Sequence, residues 1–336
     1  MSKNSNSIVY ASCTASGLNV LRRLIEEEFE ISEIVTLPPK MAETNNVSGY
    51  FDFAQFAKSE QIPVYKPQSY SLDTSSDVEH FDNIETDLLI VYGWQRLIPS
   101  SILKKFDNGG LGAHGSAFGL PKGRGRSPMN WSLIEGLNRF VLSLITLTYP
   151  ADSGKIVATQ KFDITDFDDI QSLYFKLEIA LERMLINAIP GYDIDLNSVQ
   201  NQTGTPTYYA KRQPKDGVID WRDPTERIYN LVRAVANPYP GAFTKFGDTK
   251  IYIWDAVPFT YDFVFEQKPG AILRVDPASS QFVVKTADGT LLIREWTAEK
   301  WSPEVDIVFD SVMNSSTESP HRLDKPENKQ KLSKNS

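Results

Sequence analysis

Short apolar runs alternate with longer amphipathic stretches through the first half of the chain. Residues 7–10 (SIVY) are a β-rich run, and Leu18, Leu21, Leu24 and Ile25 then fall at helical spacing across 17–29, with Glu26, Glu27 and Glu28 turned to solvent. EIVTL (33–37) predicts a second strand, followed by a polar loop with Pro38, Pro39, Asn45 and Asn46. A helix is expected over 51–59 and a strand over 62–66 (IPVYK). DLLIVY (87–92) is apolar almost throughout, as a strand covered on both faces of a parallel sheet must be. Strands and helices alternating at this spacing predict βαβ units and an α/β fold, a doubly wound, mostly parallel, Rossmann-like sheet.

Pro128 opens a short helix to Gly136, proline being favoured at the first helical position. FVLSLITLTY (140–149) carries the strongest strand pattern, and a helix follows over 169–188 with Leu173, Leu177, Leu181, Met184 and Leu185 on one side. Residues 194–207 are rich in Asn, Gln, Thr and Gly without a period, which reads as a linker. Beyond it, a helix over 223–236 leads into short strands (KIYIWDAV, AILRVD, FVVKTA, TLLIREW) broken by Asp276–Pro277 and Asp288–Gly289. That is the mark of a small antiparallel, OB-like barrel. The aromatics there (Trp221, Tyr229, Tyr239, Phe243, Trp254) sit at periodic positions and read mostly as core. Three parts result: a catalytic domain over 1–205, a smaller domain over 206–310, and a polar, disordered tail over 311–336.

Composition narrows the chemistry. At 336 residues, with 41% hydrophobic and 23% charged positions, the chain can bury a large core. Its 35 basic against 43 acidic residues give a net charge of −8, which argues against a nucleic-acid partner held by general electrostatics. Cys13 is the one cysteine, so there is no internal disulfide and no cysteine-built zinc site, and a reducing cytoplasm is expected. A three-histidine metal centre would need His80, His114 and His321 together, so no metal is expected. No apolar run approaches the roughly 20 residues of a membrane span, and MSKNSNSIVYAS has no apolar stretch long enough for a secretion signal, so none is expected.

The densest feature is GGLGAHGSAFGLPKGRGRSPMNW (109–131), a glycine-rich loop around His114 expected at the carboxyl edge of the sheet, where open α/β folds bind ligands. Two readings stand side by side: a hydrogen-bonded histidine in an Arg/Gly loop, or a catalytic one. Asp152, just after the 140–149 strand, favours the second. Histidine and carboxylate from two neighbouring strand ends can manage protons near neutral pH, although Asp-Ser-Gly is also a common turn. The first βα turn, SCTASGLN (12–19), is either an ordinary tight turn or an anion site at a helix N-terminus.

These residues resemble the enzymes that use 10-formyltetrahydrofolate, the methionyl-tRNA and sugar N-formyltransferases. Their pattern Asn-x-His-x-Ser-Leu-Leu-Pro, an Arg-Gly turn, a Trp-x-Leu-Leu-x-Gly helix and a later Asp-x-Gly reads here as Gly112, His114, Ser116, Leu120–Pro121, Arg124–Gly125, Trp131 to Gly136, and Asp152–Ser153–Gly154. Residues 208–246 are similar to the C-terminal domain of the same enzymes, most of all those acting on nucleotide-linked 4-amino sugars. The resemblance implies attack of an amine on the folate's formyl carbon, with His114 stabilising the oxyanion and Asp152 helping to move protons. Gly112 stands where the family has Asn. A backbone N–H, the side chain of Ser116 or Asn130, or a water would have to replace that donor.

It further implies a pterin site between Gly93, Trp94, Gln95, Arg96, Leu97, Ile98 and the segment Thr148, Tyr149, Pro150, Ala151, Asp152, walled by Leu97 and Ile98. Arg96 reads equally as a surface residue paired with an acidic neighbour. Ser12 and Ser116 are candidates for the acceptor. Arg124 and Arg126 are candidate phosphate clamps or members of a solvated turn. The family's tRNA enzymes carry a basic insertion after the second strand, whereas residues 36–53 hold one lysine and two acids here. A small, sugar-derived amine is therefore the expected acceptor, against a methionyl-tRNA acceptor, or a formyl-folate hydrolase or non-catalytic folate binder. Family members are often dimers, so a homodimer is also implied.

Overall fold

The computed structural model describes residues 7–189, 199–310 and 322–323. The expected tail, apart from Arg322 and Leu323, and the linker positions 194–198 lie outside the described residues. Contacts divide the chain into two units. The first comprises residues up to Gly125 with Phe140–Phe162 and Tyr174–Thr207, and the second Arg126–Arg139, Asp163–Leu173 and the chain from Tyr208 onward.

In the first unit, strands β1 (Ser7–Ala11), β2 (Glu30–Val35), β3 (Val64–Tyr65), β4 (Leu88–Val91) and β5 (Gly110–Ser116) stand in the order β3-β2-β1-β4-β5. All of these pairings are parallel, with Ala11 level with Val35 and Val91, and Val91 level with Gly112. After the two-residue β6 (Arg124–Gly125), β7 (Arg139–Thr146) joins beyond β5 and β8 (Ile156–Asp163) forms the outer edge. β7 runs antiparallel to β5, with His114 opposite Ser143. β1 and β4 are buried at every position, which is why their sequences show no alternation. Helices α1 (Ala15–Glu26), α2 (Pro39–Thr44), α3 (Ala54–Ser59), α4 (Ser75–Asp82) and α5 (Ser100–Leu103) connect the parallel strands. Thr14 caps α1 by accepting from the Gly17 N–H, while Leu18, Val20, Leu21 and Leu24 bury its inner face. Each such leucine contributes about 1.5–3 kcal/mol of burial.

The polar loop expected over 38–46 thus contains α2, and two segments with weak patterns, α4 and β8, are regular elements. The largest departure is 110–116, a glycine-rich stretch that is a sheet strand rather than a loop. The later part of the chain carries α6 (Pro128–Ile134), α7 (Ile170–Ala188), the short β9 (Tyr208–Tyr209) and α8 (Thr225–Val235). In the second unit a five-stranded antiparallel sheet follows: β10 (Ala242–Phe246), β11 (Thr249–Thr260), β12 (Ile272–Val275), β13 (Phe282–Lys285) and β14 (Thr290–Ala298), in the order β10-β11-β14-β13-β12. A last pair of residues, β15 (Arg322–Leu323), lies against β9. Trp221 and Phe243 are buried, and the Trp221 indole donates to Thr244 Oγ1 at 3.0 Å; Tyr229, Tyr239 and Trp254 are half-buried. No described helix is long and apolar enough to cross a membrane.

Candidate active site

His114 and Asp152 do come together, although not as two ends at one edge of the sheet. Because β7 is antiparallel to β5, the carboxyl ends of those two strands point opposite ways. Asp152 reaches the histidine because the loop after β7 folds back. At its far end the loop is pinned where Thr146 N–H donates to the Lys155 carbonyl and Lys155 N–H to Thr146 Oγ1. Gly154 is held so tightly that a Cβ there would stand 1.6 Å from the Thr146 carbonyl oxygen. Asp152 itself has φ +57°, a left-handed conformation that aspartate tolerates better than most residues.

The imidazole is gripped at both nitrogens. Nε2 lies 3.1 Å from the Gly123 carbonyl oxygen, and since a carbonyl only accepts, Nε2 carries the hydrogen. Nδ1 faces Asp152 Oδ1 at 3.4 Å, while Asp152 Oδ2 accepts from the Gly125 N–H at 3.1 Å. Side-chain exposure is 11% for His114 and 23% for Asp152, so the carboxylate is the more open of the two. A pair of this kind, partly shielded and held by backbone groups, can shuttle a proton during acyl transfer.

Gly112 lies in β5 with an ordinary φ, so its glycine answers crowding and not a turn. A Cβ would sit 2.7 Å from Leu147 Cδ2. Leu147 covers the face of β5 where a longer side chain would project. Neither side chain expected to replace the missing donor is free for it. Ser116 is fully buried and donates to the Lys122 carbonyl at 2.6 Å, and buried Asn130 donates to the Ala234 carbonyl at 2.7 Å. The acceptor expectation for Ser116 meets the same obstacle. Ser12 fails for a different reason: it is 0% exposed, so an acceptor does not reach it, although its buried hydroxyl has no hydrogen-bond partner among the described residues. The anion reading of the first turn loses two of its donors, since the Ala15 N–H is taken by the Gly49 carbonyl and the Gly17 N–H by Thr14.

Arg124 is buried, with Nη2 donating to Gln202 Oε1 at 2.6 Å, whereas Arg126 is exposed. A buried guanidinium already holding an amide is not an open phosphate fork. Gly93 has φ +72°, and its carbonyl accepts from Cys13 Sγ at 3.2 Å. Burial pushes the Cys13 thiol up to about 11, which leaves it inert as a nucleophile. Trp94 is buried edge-on against Tyr70 and so belongs to the core rather than to a ligand surface. The Gln95 N–H donates to Tyr70 Oη at 3.0 Å. Arg96 lies 4.7 Å above the Tyr70 ring and donates to Asn45 Oδ1 at 3.3 Å, so its partners are an aromatic face and an amide in place of an acid. Leu97, Thr148, Tyr149 and Pro150 are exposed and Ile98 and Ala151 partly so. Among the described residues no group of three or more His, Cys, Asp or Glu side chains forms a metal-ligand set.

Sequence reasoning missed the other half of the site. Gly123, Gln202 and Thr207 bond the residues around His114 and Asp152, Leu147 packs against β5 beside Gly112, and only Gly123 lay inside the conspicuous motif. Gln202 and Thr207 sit in a stretch whose composition says linker.

Two family models match the sequence: the formyl transferase domain over residues 8–189 and the formyl transferase C-terminal domain over residues 211–303. Among solved structures, HypX from Aquifex aeolicus in complex with tetrahydrofolic acid aligns with a TM-score of 0.62 at 19% identity, over 85% of this chain and 43% of that one. An N-formyltransferase from Helicobacter canadensis, in complex with folinic acid and dTDP-3-aminofucose, aligns with a TM-score of 0.60 at 15% identity, over 87% of this chain and 100% of that one. Methionyl-tRNA formyltransferase from Clostridium thermocellum aligns with a TM-score of 0.51 at 18% identity, over 75% and 92%. This chain spans less than half the length of the HypX chains that it matches. At these identities the likeness is one of fold.

Proposed function

Because the chain belongs to the formyl transferase family, enzymes that move one-carbon groups, we propose that it carries a formyl group from 10-formyltetrahydrofolate to the amine of a small, sugar-derived acceptor. The observation that carries this reading is the His114–Asp152 pair, held between the Gly123–Gly125 turn and the loop after β7. Folate is supported by the tetrahydrofolic acid and folinic acid bound to two proteins of similar fold. Its pterin would lie between the exposed and partly exposed residues of 95–98 and 148–151, with Leu97 and Ile98 as apolar walls.

The acceptor nitrogen attacks the formyl carbon, the carbonyl pair moves onto oxygen, and collapse expels N10 of tetrahydrofolate. One proton leaves the acceptor nitrogen and one is delivered to N10, so the reaction needs a group that takes and returns a proton without net change. Asp152, the more exposed member, faces that traffic, and His114 holds the second position. The oxyanion draws on backbone N–H groups or solvent, and on His114 once the ring exchanges one of its two partners, Gly123 and Asp152, for substrate, since Ser116 and Asn130 are tied elsewhere.

A sugar-derived amine is favoured over tRNA by the acidic balance of residues 36–53 and by the dTDP-3-aminofucose of the Helicobacter canadensis protein. The experiment is incubation with 10-formyltetrahydrofolate and a panel of free and nucleotide-linked amino sugars, reading the added formyl mass. A formylated sugar is expected. Formate release without a formylated product would replace transfer by hydrolysis, and formylation of methionyl-tRNA alone would overturn the small-molecule acceptor.

A further inference from the structure

The segment 199–207, which the composition presents as a linker, is bonded to both loops of the site. Gln200 exchanges two backbone hydrogen bonds with Ile156, 2.8 Å each, and so ties the segment to the start of β8. Two residues on, the Gln202 amide nitrogen donates to the Asp152 carbonyl at 2.8 Å and to the Gly154 carbonyl at 2.7 Å. Its amide oxygen accepts from Arg124 Nη2 at 2.6 Å. At the end of the segment, Thr207 takes the Gly123 N–H on its hydroxyl at 2.9 Å and the Arg124 N–H on its carbonyl at 2.9 Å.

One side chain therefore spans the two loops that grip His114. On one side it fixes the backbone that carries the Asp152 carboxylate. On the other it fixes Arg124, whose neighbours Gly123 and Gly125 supply the carbonyl against His114 Nε2 and the N–H against Asp152 Oδ2. Both hydrogens of the amide and its oxygen are in use, so only a side chain with a planar donor and acceptor at this length closes the bridge. Leu, Met or Glu fails on one count or another: the first two have neither group, and a carboxylate cannot donate to two carbonyls. We propose that Gln202 is a positioning residue that sets the His114–Asp152 geometry. This rests on the formyl-transfer reading for its kinetic test, yet the geometric claim is separable from it.

The test uses the full chain with Gln202→Met, matched in length, and Gln202→Asn, which keeps the amide but is one methylene too short. The kinetic expectation is a 10–100-fold fall in kcat with a melting temperature and a folate KM close to the parent's. In an Asp152→Asn background the same substitution should cost less than about three-fold, because a residue that works through Asp152 has nothing left to position. Losses that multiply in the double variant, or an unchanged kcat in both folded single variants, would overturn the proposal. The second readout needs no turnover. The chain has three histidines, so the ring nitrogens of His114 can be assigned by comparison with His114→Asn and followed by 15N NMR. The expected result is that Gln202→Met moves the His114 resonances in the direction that Asp152→Asn moves them, leaving His80 unmoved. Unmoved His114 resonances in both variants would overturn the proposal even if no acceptor is formylated, and a shift in a protein that transfers no formyl group would leave the geometry standing while the functional reading falls.

Discussion

His80 meets Glu33 at 2.8 Å, and His114 meets Asp152 at 3.4 Å. On distance alone the first pair is the stronger candidate for chemistry. It joins α4 to β2, and the imidazole lies flat on Tyr65 with ring centroids 3.6 Å apart and planes 5° from parallel. Everything around it is regular structure: Tyr65 donates to Asp77 in the first turn of α4, Thr74 caps that helix by accepting from the Asp77 N–H, and Phe81 stands edge-on. The second pair is looser, but it is held by backbone groups of the Gly123–Gly125 turn, its carboxylate comes from a different loop, and that carboxylate stays partly open. The lesson is that a short histidine–carboxylate contact on stacked elements serves the fold. A longer one, assembled where loops converge, is free to change partners when a substrate arrives.

The sharpest way to break the comparison is to remove each histidine in turn. His114→Asn or Asp152→Ala is expected to lower transfer by about 10²-fold or more with little change in melting temperature, whereas His80→Asn should leave turnover untouched. Loss of turnover on changing His80 would undo the distinction. The next largest effect concerns the oxyanion. Gly112→Asn alone should bring no gain, since Leu147 occupies the space, but joined to Leu147→Ala it should raise transfer by about ten-fold as a side-chain donor enters. No gain in the double variant would mean that backbone groups already meet the need.

Gly154→Ala forces the catalytic loop off Thr146 and should cost about 1–3 kcal/mol in a denaturant melt, together with a several-fold loss of transfer. His80→Asn should cost about 1–2 kcal/mol through the lost stack and hydrogen bond to Glu33, with kinetics as the control. The smallest effect belongs to Glu178, on α7, whose carboxyl is held above its usual range by burial, partly offset by the Asn19 amide. A raised carboxyl pKa means that the ionised form weakens the fold as pH climbs out of the normal carboxylate range. Glu178→Gln should thus be neutral to stabilising by less than about 1 kcal/mol near pH 8, with the gain fading toward pH 4. A greater benefit at acidic pH would reverse the sign of that account.

The largely apolar β1 and β4, the one-sided apolar faces of α1 and α7, and the turn-punctuated strands of the smaller unit are written in the local pattern, because burial on both faces or on one face leaves a distinct period. The motif around His114 and Asp152 was also legible, since residue types that handle protons stand out against a background of glycine. Only the tertiary structure decided the rest. Glycine in β5 reads as a loop in one dimension, yet Leu147 pressing on Gly112 makes it a strand position where no Cβ fits. The antiparallel entry of β7 depends on pairing across the sheet, which no local period encodes. Gln202 looked like linker because its value lies in three hydrogen bonds to residues 48 to 78 positions away, and such contacts leave no trace in the composition of their own neighbourhood.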